Sequence, residues 1–141
     1  MKPLKFMVLK GSFGVCRLPK NSSIPNWPYN RVFFSITKTD EELSIVCPQE
    51  NIPGDVKVEK RWTVLKVEGP LDFSLTGILA NLATILAKGG VSIFAVSTYD
   101  TDYILVKEKN MAKASELLKK AGFKLTSKLD EVSNKYEIKK G

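Results

Sequence analysis

The sequence contains no histidine and only two cysteines. The missing imidazole removes the side chain that most often acts as a general base near neutral pH. It also removes the commonest metal ligand. Cys16 and Cys47 make no CxxC pair, and two distant thiols exclude a structural zinc site. They are too few for a disulfide scaffold. Each sits in a strand-like run, Phe13–Leu18 and Leu43–Cys47, and so reads as a buried, reduced thiol packing as a small hydrophobe. No apolar run approaches the roughly 18 residues of a membrane span. The longer ones, such as Val91–Val96, have the length of a strand. Behind the N-terminus, Phe6–Leu9 is too short for a signal-peptide core, and no small-residue cleavage site follows. A cytoplasmic protein without cofactor, metal or membrane attachment is the expectation.

What is present is an ordinary globular balance: 141 residues, 43% hydrophobic and 26% charged. The length fits one domain or two very small ones. A net charge of +7 raises the question of a nucleic-acid partner. Divided at residue 60, the two halves carry +3 and +4, and lysines alternate with acids, so the excess reads as a solvated lysine-rich surface.

The second half is the clearer. Trp62–Glu68 alternates and is β-branched, the pattern of a strand, and Gly69-Pro70 ends it. Leu75, Ile78, Leu79, Leu82, Ile85 and Leu86 follow helical spacing, with Ser74 placed to cap and Gly89-Gly90 to stop the helix. Val91–Ser97 and Tyr103–Val106 predict an antiparallel hairpin around the polar turn Tyr99–Asp102. Asn110 is placed to cap a second helix with Met111, Ala114, Leu117, Leu118 and Ala121 on one face, closed by Gly122 before a short strand, Phe123–Thr126. The order βαββαβ is the ferredoxin-like split arrangement, an α+β fold with two helices on one face of a four-stranded antiparallel sheet. So small a unit keeps a small core, and a partner is expected on the open sheet face.

The first half predicts strands at Phe6–Lys10, Phe13–Leu18, Val32–Thr37 and Leu43–Cys47, with a hairpin at Gly11-Ser12 and a proline-bearing loop at Asn21–Pro28. Residues 1–60 read as an abbreviated, β-rich relative of the unit at 61–126. Residues 127–141 read as a polar tail in which Lys135–Lys139 is either an edge strand or disordered.

Two stretches carry candidate chemistry. The start of the first helix offers unpaired backbone N–H groups and a partial positive charge, which favour a carboxylate. Gly77, placed in the first helical turn, lets a ligand approach the backbone, and Asp72 upstream can hold an ammonium. Together they suit the two charges of an α-amino acid. Equally, Asp72 and Ser74 can simply cap the helix while Gly77 relieves packing. The second stretch is Ser97–Asp102, whose carboxylates and hydroxyls serve either a cationic ligand or a normal hairpin turn. No nucleophile or orienting group accompanies them, so catalysis is not expected. An RNA-binding unit of this topology displays stacking aromatics on its central strands. Thr63–Val67 and Tyr103–Val106 offer one tyrosine, which argues against a specific nucleic-acid role.

Trp62–Phe123 resembles an ACT domain, the regulatory module of amino-acid metabolism. Over roughly residues 6 to 123 the chain resembles the tandem, two-ACT proteins related to the CASTOR arginine sensors and to aspartokinase regulatory regions. Phe33–Lys38, Glu42–Pro48, Val67–Ala80 and Val91–Val106 carry the likeness. The resemblance implies tandem ACT-like units, no catalysis, an amino-acid site where ACT units meet in a homodimer, and a metabolic or signalling protein as a further partner. It points to Asp72, Phe73, Gly77 and Ile78 after the first strand, to Ile93 and Phe94 on the next, and to Ser97, Thr98 and Asp102 in the turn. The usual ACT motif has proline directly before its glycine; Thr76 stands there instead, in a longer loop. The alternative expectation is a structural or protein-interaction ACT module that has lost its ligand.

Overall fold

The computed structural model describes residues 4–68 and 77–127, and these divide into two compact units. One comprises the first ten residues and everything from Thr63 onward; the other is Gly11–Trp62.

The larger unit contains β1 (Lys5–Val8), the second part of β5 (Lys57–Glu68), α1 (Ile78–Lys88), β6 (Ile93–Ser97), β7 (Asp102–Lys107), α2 (Met111–Lys120) and β8 (Lys124–Ser127). From β5 onward the order is the expected βαββαβ. Ile93–Ser97 pairs antiparallel with Asp102–Val106, as the short turn requires, and β7 pairs in turn with β5. Strand periodicity then sorts the side chains. Phe6, Leu65, Val67, Ile104 and Val106 form one buried cluster with Leu82 and Leu86 of α1 and Ala114 and Leu118 of α2. Val64 and Leu105, which alternate to the other sheet face, are also fully buried, so at these positions the face expected to stand open is covered.

β1 departs from the expectation. The sequence predicts a strand at Phe6–Lys10 within the first half, with a hairpin at Gly11-Ser12. Instead β1 lies between β5 and β8, antiparallel to Leu65–Glu68 and parallel to Lys124–Ser127. The sheet of this unit therefore has five strands rather than four, and one of its pairings is parallel. Burial supplies the reason: Phe6 is wholly enclosed and meets the ring of Phe123 edge-on at 5.4 Å.

Both helices stop as their glycines dictate. Past α1, Gly90 N–H bonds the Ala87 carbonyl and Val91 N–H the Leu86 carbonyl. Past α2, Gly122 and Phe123 bond Lys119 and Leu118 in the same way. These are Schellman closures, which place a left-handed residue after the cap and satisfy carbonyls the helix leaves over. Asn110 occupies the N-cap of α2, but its side chain makes no capping bond; a 3₁₀ turn at Glu108–Asn110 leads into the helix instead.

The smaller unit is a sheet without an α-helix. β2 (Phe13–Pro19) pairs antiparallel with β4 (Glu42–Pro48) and with the first part of β5, while β3 (Ser35–Lys38) flanks β4. Cys16, Leu43, Ile45 and Cys47 form its core, with Trp27, Phe34 and Ile52 packed against them. Both cysteines are free and buried, as expected. They face one another diagonally across β2 and β4, and their thiols hydrogen-bond. Donation to Cys16, and then burial, push the Cys47 thiol well above the ordinary thiol range. Between β2 and β5 the register shifts. Arg61 has a positive φ of 64°, and its N–H bonds Gln49 Oε1 at 2.9 Å.

Candidate functional site

Asp72, Phe73 and Thr76, together with the expected cap Ser74, lie outside the described residues. The chain ends β5 at Glu68 and enters α1 at Ile78. The helix therefore starts later than the periodicity from Leu75 implied. Gly77 is its N-cap rather than part of its first turn, with φ 92° and ψ 3°. That left-handed backbone costs an L-residue with a side chain about 1–2 kcal/mol and glycine very little. Its carbonyl accepts the first helical bond, from Asn81 N–H at 2.8 Å. A methyl group added at Gly77 would meet none of the described residues within 4 Å. Glycine here answers a conformational need, and among the described residues the backbone at the positive end of α1 is open.

Ile78 and Ile93 are both half-buried and pack against the cluster beneath the helices. Their side chains serve the core. Phe94, the next residue on β6, alternates to the other face and is half-buried.

The turn residues are organised mainly toward one another. Ser97 Oγ donates to Asp102 Oδ1 at 2.6 Å, closing the base of the hairpin. Thr98 N–H and Oγ1 both bond the Thr101 carbonyl, and Thr101 N–H returns a bond to Thr98 Oγ1. Thr101 Oγ1 donates to the Val67 carbonyl. This last bond fixes the turn against the end of β5, one residue before that strand stops. The Schellman closure joins the far end of α1 to the start of β6. At about 1.5 Å per helical residue α1 spans the length of β6, so its N-terminus lies toward the end of the sheet that bears the turn. By this topology Gly77 and the Ser97–Asp102 turn lie toward the same end of the larger unit's sheet. Asp102 keeps part of its carboxylate exposed there, and Tyr99 is almost completely exposed.

Among the described residues no group of three or more cysteine, aspartate or glutamate side chains is arranged to hold a metal. No helix among them is long and apolar enough to cross a membrane. Thr101, which the sequence offers only as one of several hydroxyls in the Ser97–Asp102 stretch, takes a particular role. Its hydroxyl ties the turn to β5, and nothing in the pattern Tyr99–Asp102 distinguishes it from an ordinary turn threonine.

A two-helix layer over a split βαββαβ sheet, with a glycine-capped first helix, is the ferredoxin-like arrangement of the ACT class of regulatory domain. Residues 57–120 match the ACT-domain family model, and residues 11–55 match a model for the N-terminal domain of a related protein group. A solved structure from Agrobacterium tumefaciens is 41% identical, with a TM-score of 0.86, and the match covers 91% of this chain and 96% of that one. The curated "cytosolic arginine sensor for mTORC1 subunit 1" of Pongo abelii is 31% identical over 114 residues, covering 74% of this chain and 34% of that protein. The chain therefore spans about a third of the length of this curated relative. Aspartokinase alpha and beta subunits share the fold at 15% identity and a TM-score of 0.57. The chain belongs to the ACT-domain family, as a CASTOR-like member with a tandem ACT-like fold.

Proposed function

We propose that the protein is a cytoplasmic, non-catalytic module that binds an amino acid at the start of α1 and passes the binding on to a homodimer or partner protein. The placement of Gly77 and the Ser97–Asp102 turn toward the same end of the ACT unit's sheet supports this reading. The open backbone at Gly77 receives the carboxylate. Asp72, in the segment that also contains Phe73 and Thr76, holds the ammonium. Asp102 meets a cationic or polar side chain by exchanging part of its bond to Ser97. The name of the curated relatives, an arginine sensor, supports an amino-acid ligand without fixing which one. Regulation follows if the ligand has unequal affinity for two states of the assembly.

Thermal-shift screening of the twenty amino acids tests this. A ligand at 100 times its dissociation constant stabilises by about 2.7 kcal/mol. The expected result is a shift with one amino acid or a small chemical group of them, abolished by Asp72→Ala. No shift with any amino acid at millimolar concentration refutes the reading.

The internal bonding of the turn favours a second reading. Ser97, Thr98 and Asp102 satisfy one another without a ligand. With Thr76 in place of the usual proline, this fits a module that retains the fold for protein interaction alone. Light scattering showing a complex of unchanged stoichiometry with and without amino acids would support it.

A further inference from the structure

The positive charge is less evenly distributed than the division at residue 60 indicates. Residues 1–39 contain seven lysines and arginines and not one acidic residue; residues 40–141 contain fifteen of each. The whole excess of +7 arises in the first 39 positions. Four of these seven cations, Arg17, Lys20, Arg31 and Lys38, belong to the smaller unit and lie around the connection between β2 and β3, while the acids Asp40, Glu41 and Glu42 follow at the turn into β4.

That connection runs from residue 20 to residue 34 without a helix or strand. Loops of that length inside compact domains are uncommon, and those that keep a shape usually serve function. This one keeps its shape. The Asn30 side chain uses its full bonding capacity: Nδ2 donates to the Pro28 and Phe33 carbonyls, and Oδ1 accepts from Val32 and Phe33 N–H at 2.9 Å each. Tyr29 meets Phe34 edge-on at 5.0 Å, and Trp27 packs into the core. Yet the loop carries three of the four large hydrophobic residues noted as exposed among the described residues: Ile24 at 56%, Tyr29 at 56% and Val32 at 47%. At its root an open cleft of about 530 Å³ is lined by Lys20, Asn21, Lys38, Thr39 and Asp40.

We propose that this loop is a docking surface for a protein segment that carries carboxylates around an aliphatic or aromatic anchor. The anchor covers Ile24, Tyr29 and Val32, and the carboxylates meet Lys20, Arg31 and Lys38. A second copy of the chain is disfavoured, because the same face would oppose its own cations. Nucleic acid is disfavoured because Ile24 and Val32 offer no ring on which a base can stack, and the single ring, Tyr29, is engaged edge-on with Phe34. A membrane surface does not need a loop held to one shape. A shaped protein partner does benefit from it, because less conformational freedom is lost on binding. This surface is independent of the amino-acid site, and the proposal stands whether or not an amino acid binds.

The test is selection of random peptides displayed on phage against the full immobilised chain, followed by affinity measurement with synthetic copies of the enriched peptides. The expected peptides are rich in aspartate and glutamate beside an aliphatic or aromatic residue. Their affinity should fall about tenfold or more with Ile24→Ser or Val32→Ser, as for an apolar anchor site, and should fall also with Lys20→Glu or with added salt. These side chains are exposed, so the variants should melt with the wild type, which separates lost binding from lost folding. The absence of enrichment, or enriched peptides indifferent to the four tests, overturns the proposal. Binding of phosphatidylserine vesicles or mixed-sequence single-stranded DNA, without acidic peptides and lost in the same variants, also overturns it and assigns the surface to that other class of partner.

Discussion

Replacing Gly77 by alanine tests the geometry on which the ligand reading rests. The backbone there has φ 92°, and no described residue stands within 4 Å of where the new methyl would project. Overlap with those residues therefore contributes nothing. The strain of placing alanine in the left-handed region costs about 1–2 kcal/mol. Alanine also reduces the freedom of the unfolded chain, which returns about 0.4–1 kcal/mol. The net expectation is a loss of about 1 kcal/mol, or about 4 °C in melting temperature for a domain of this size. Urea denaturation followed by circular dichroism measures it. Gly77→Asn should recover part of the loss, because asparagine tolerates the left-handed region better. If a ligand carboxylate approaches this backbone, both variants should weaken the amino-acid shift, since each puts a side chain into the open space. Stability and binding then separate, with Asn milder on the first and not on the second. A neutral or stabilising Gly77→Ala would refute the reasoning, because the residue would then lie in an ordinary helical turn, as the apolar spacing from Leu75 suggested.

Two further outcomes follow from the packing. Phe6→Ala should cost about 3–5 kcal/mol in urea denaturation, the loss typical of an enclosed phenylalanine, because this side chain fills the cluster beneath the helices and touches Phe123; a loss below about 1 kcal/mol would remove β1 from the core. The raised Cys47 thiol binds its proton more tightly folded than unfolded. That contribution is whole below the ordinary thiol value of about 8.5 and is lost as pH rises above it. Alkaline weakening should therefore be smaller in Cys47→Ala than in the wild type, and thiol reagents should label neither cysteine until the protein is unfolded.

Local pattern made most of the larger unit legible. Both helices carry their apolar residues at helical spacing and end at glycines that close them, and the hairpin has alternating strands around a polar turn. Non-local pairing was not legible in the same way. Phe6–Val8 fits almost any sheet, and its partners lie about sixty and one hundred and twenty residues away. Gly11-Ser12 therefore read as a hairpin, although Lys5–Val8 and Phe13–Pro19 do not pair with each other. The site was half legible. Residue types drew attention to Gly77 and Asp102, but only coordinates reveal that Gly77 is left-handed or that Thr101 draws the turn to β5. Division of the charge at residue 60 likewise hid a first 39 residues without a single acid.

The place of β1 has a consequence for how the chain is made. A ribosome releases β1 early, yet its parallel neighbour, β8, is 119 positions away at Lys5 and Lys124. At about 5–20 residues per second, this strand waits several seconds for the edge it must join. Gly11–Trp62 is continuous in sequence and can assemble during that interval. The larger unit begins before its neighbour and can be completed only after it, with Phe6 exposed to whatever else is nearby until Phe123 emerges. A fusion or tag placed ahead of Lys5 would therefore burden the step that closes the sheet, while one placed in the Pro53-Gly54 turn would leave it untouched.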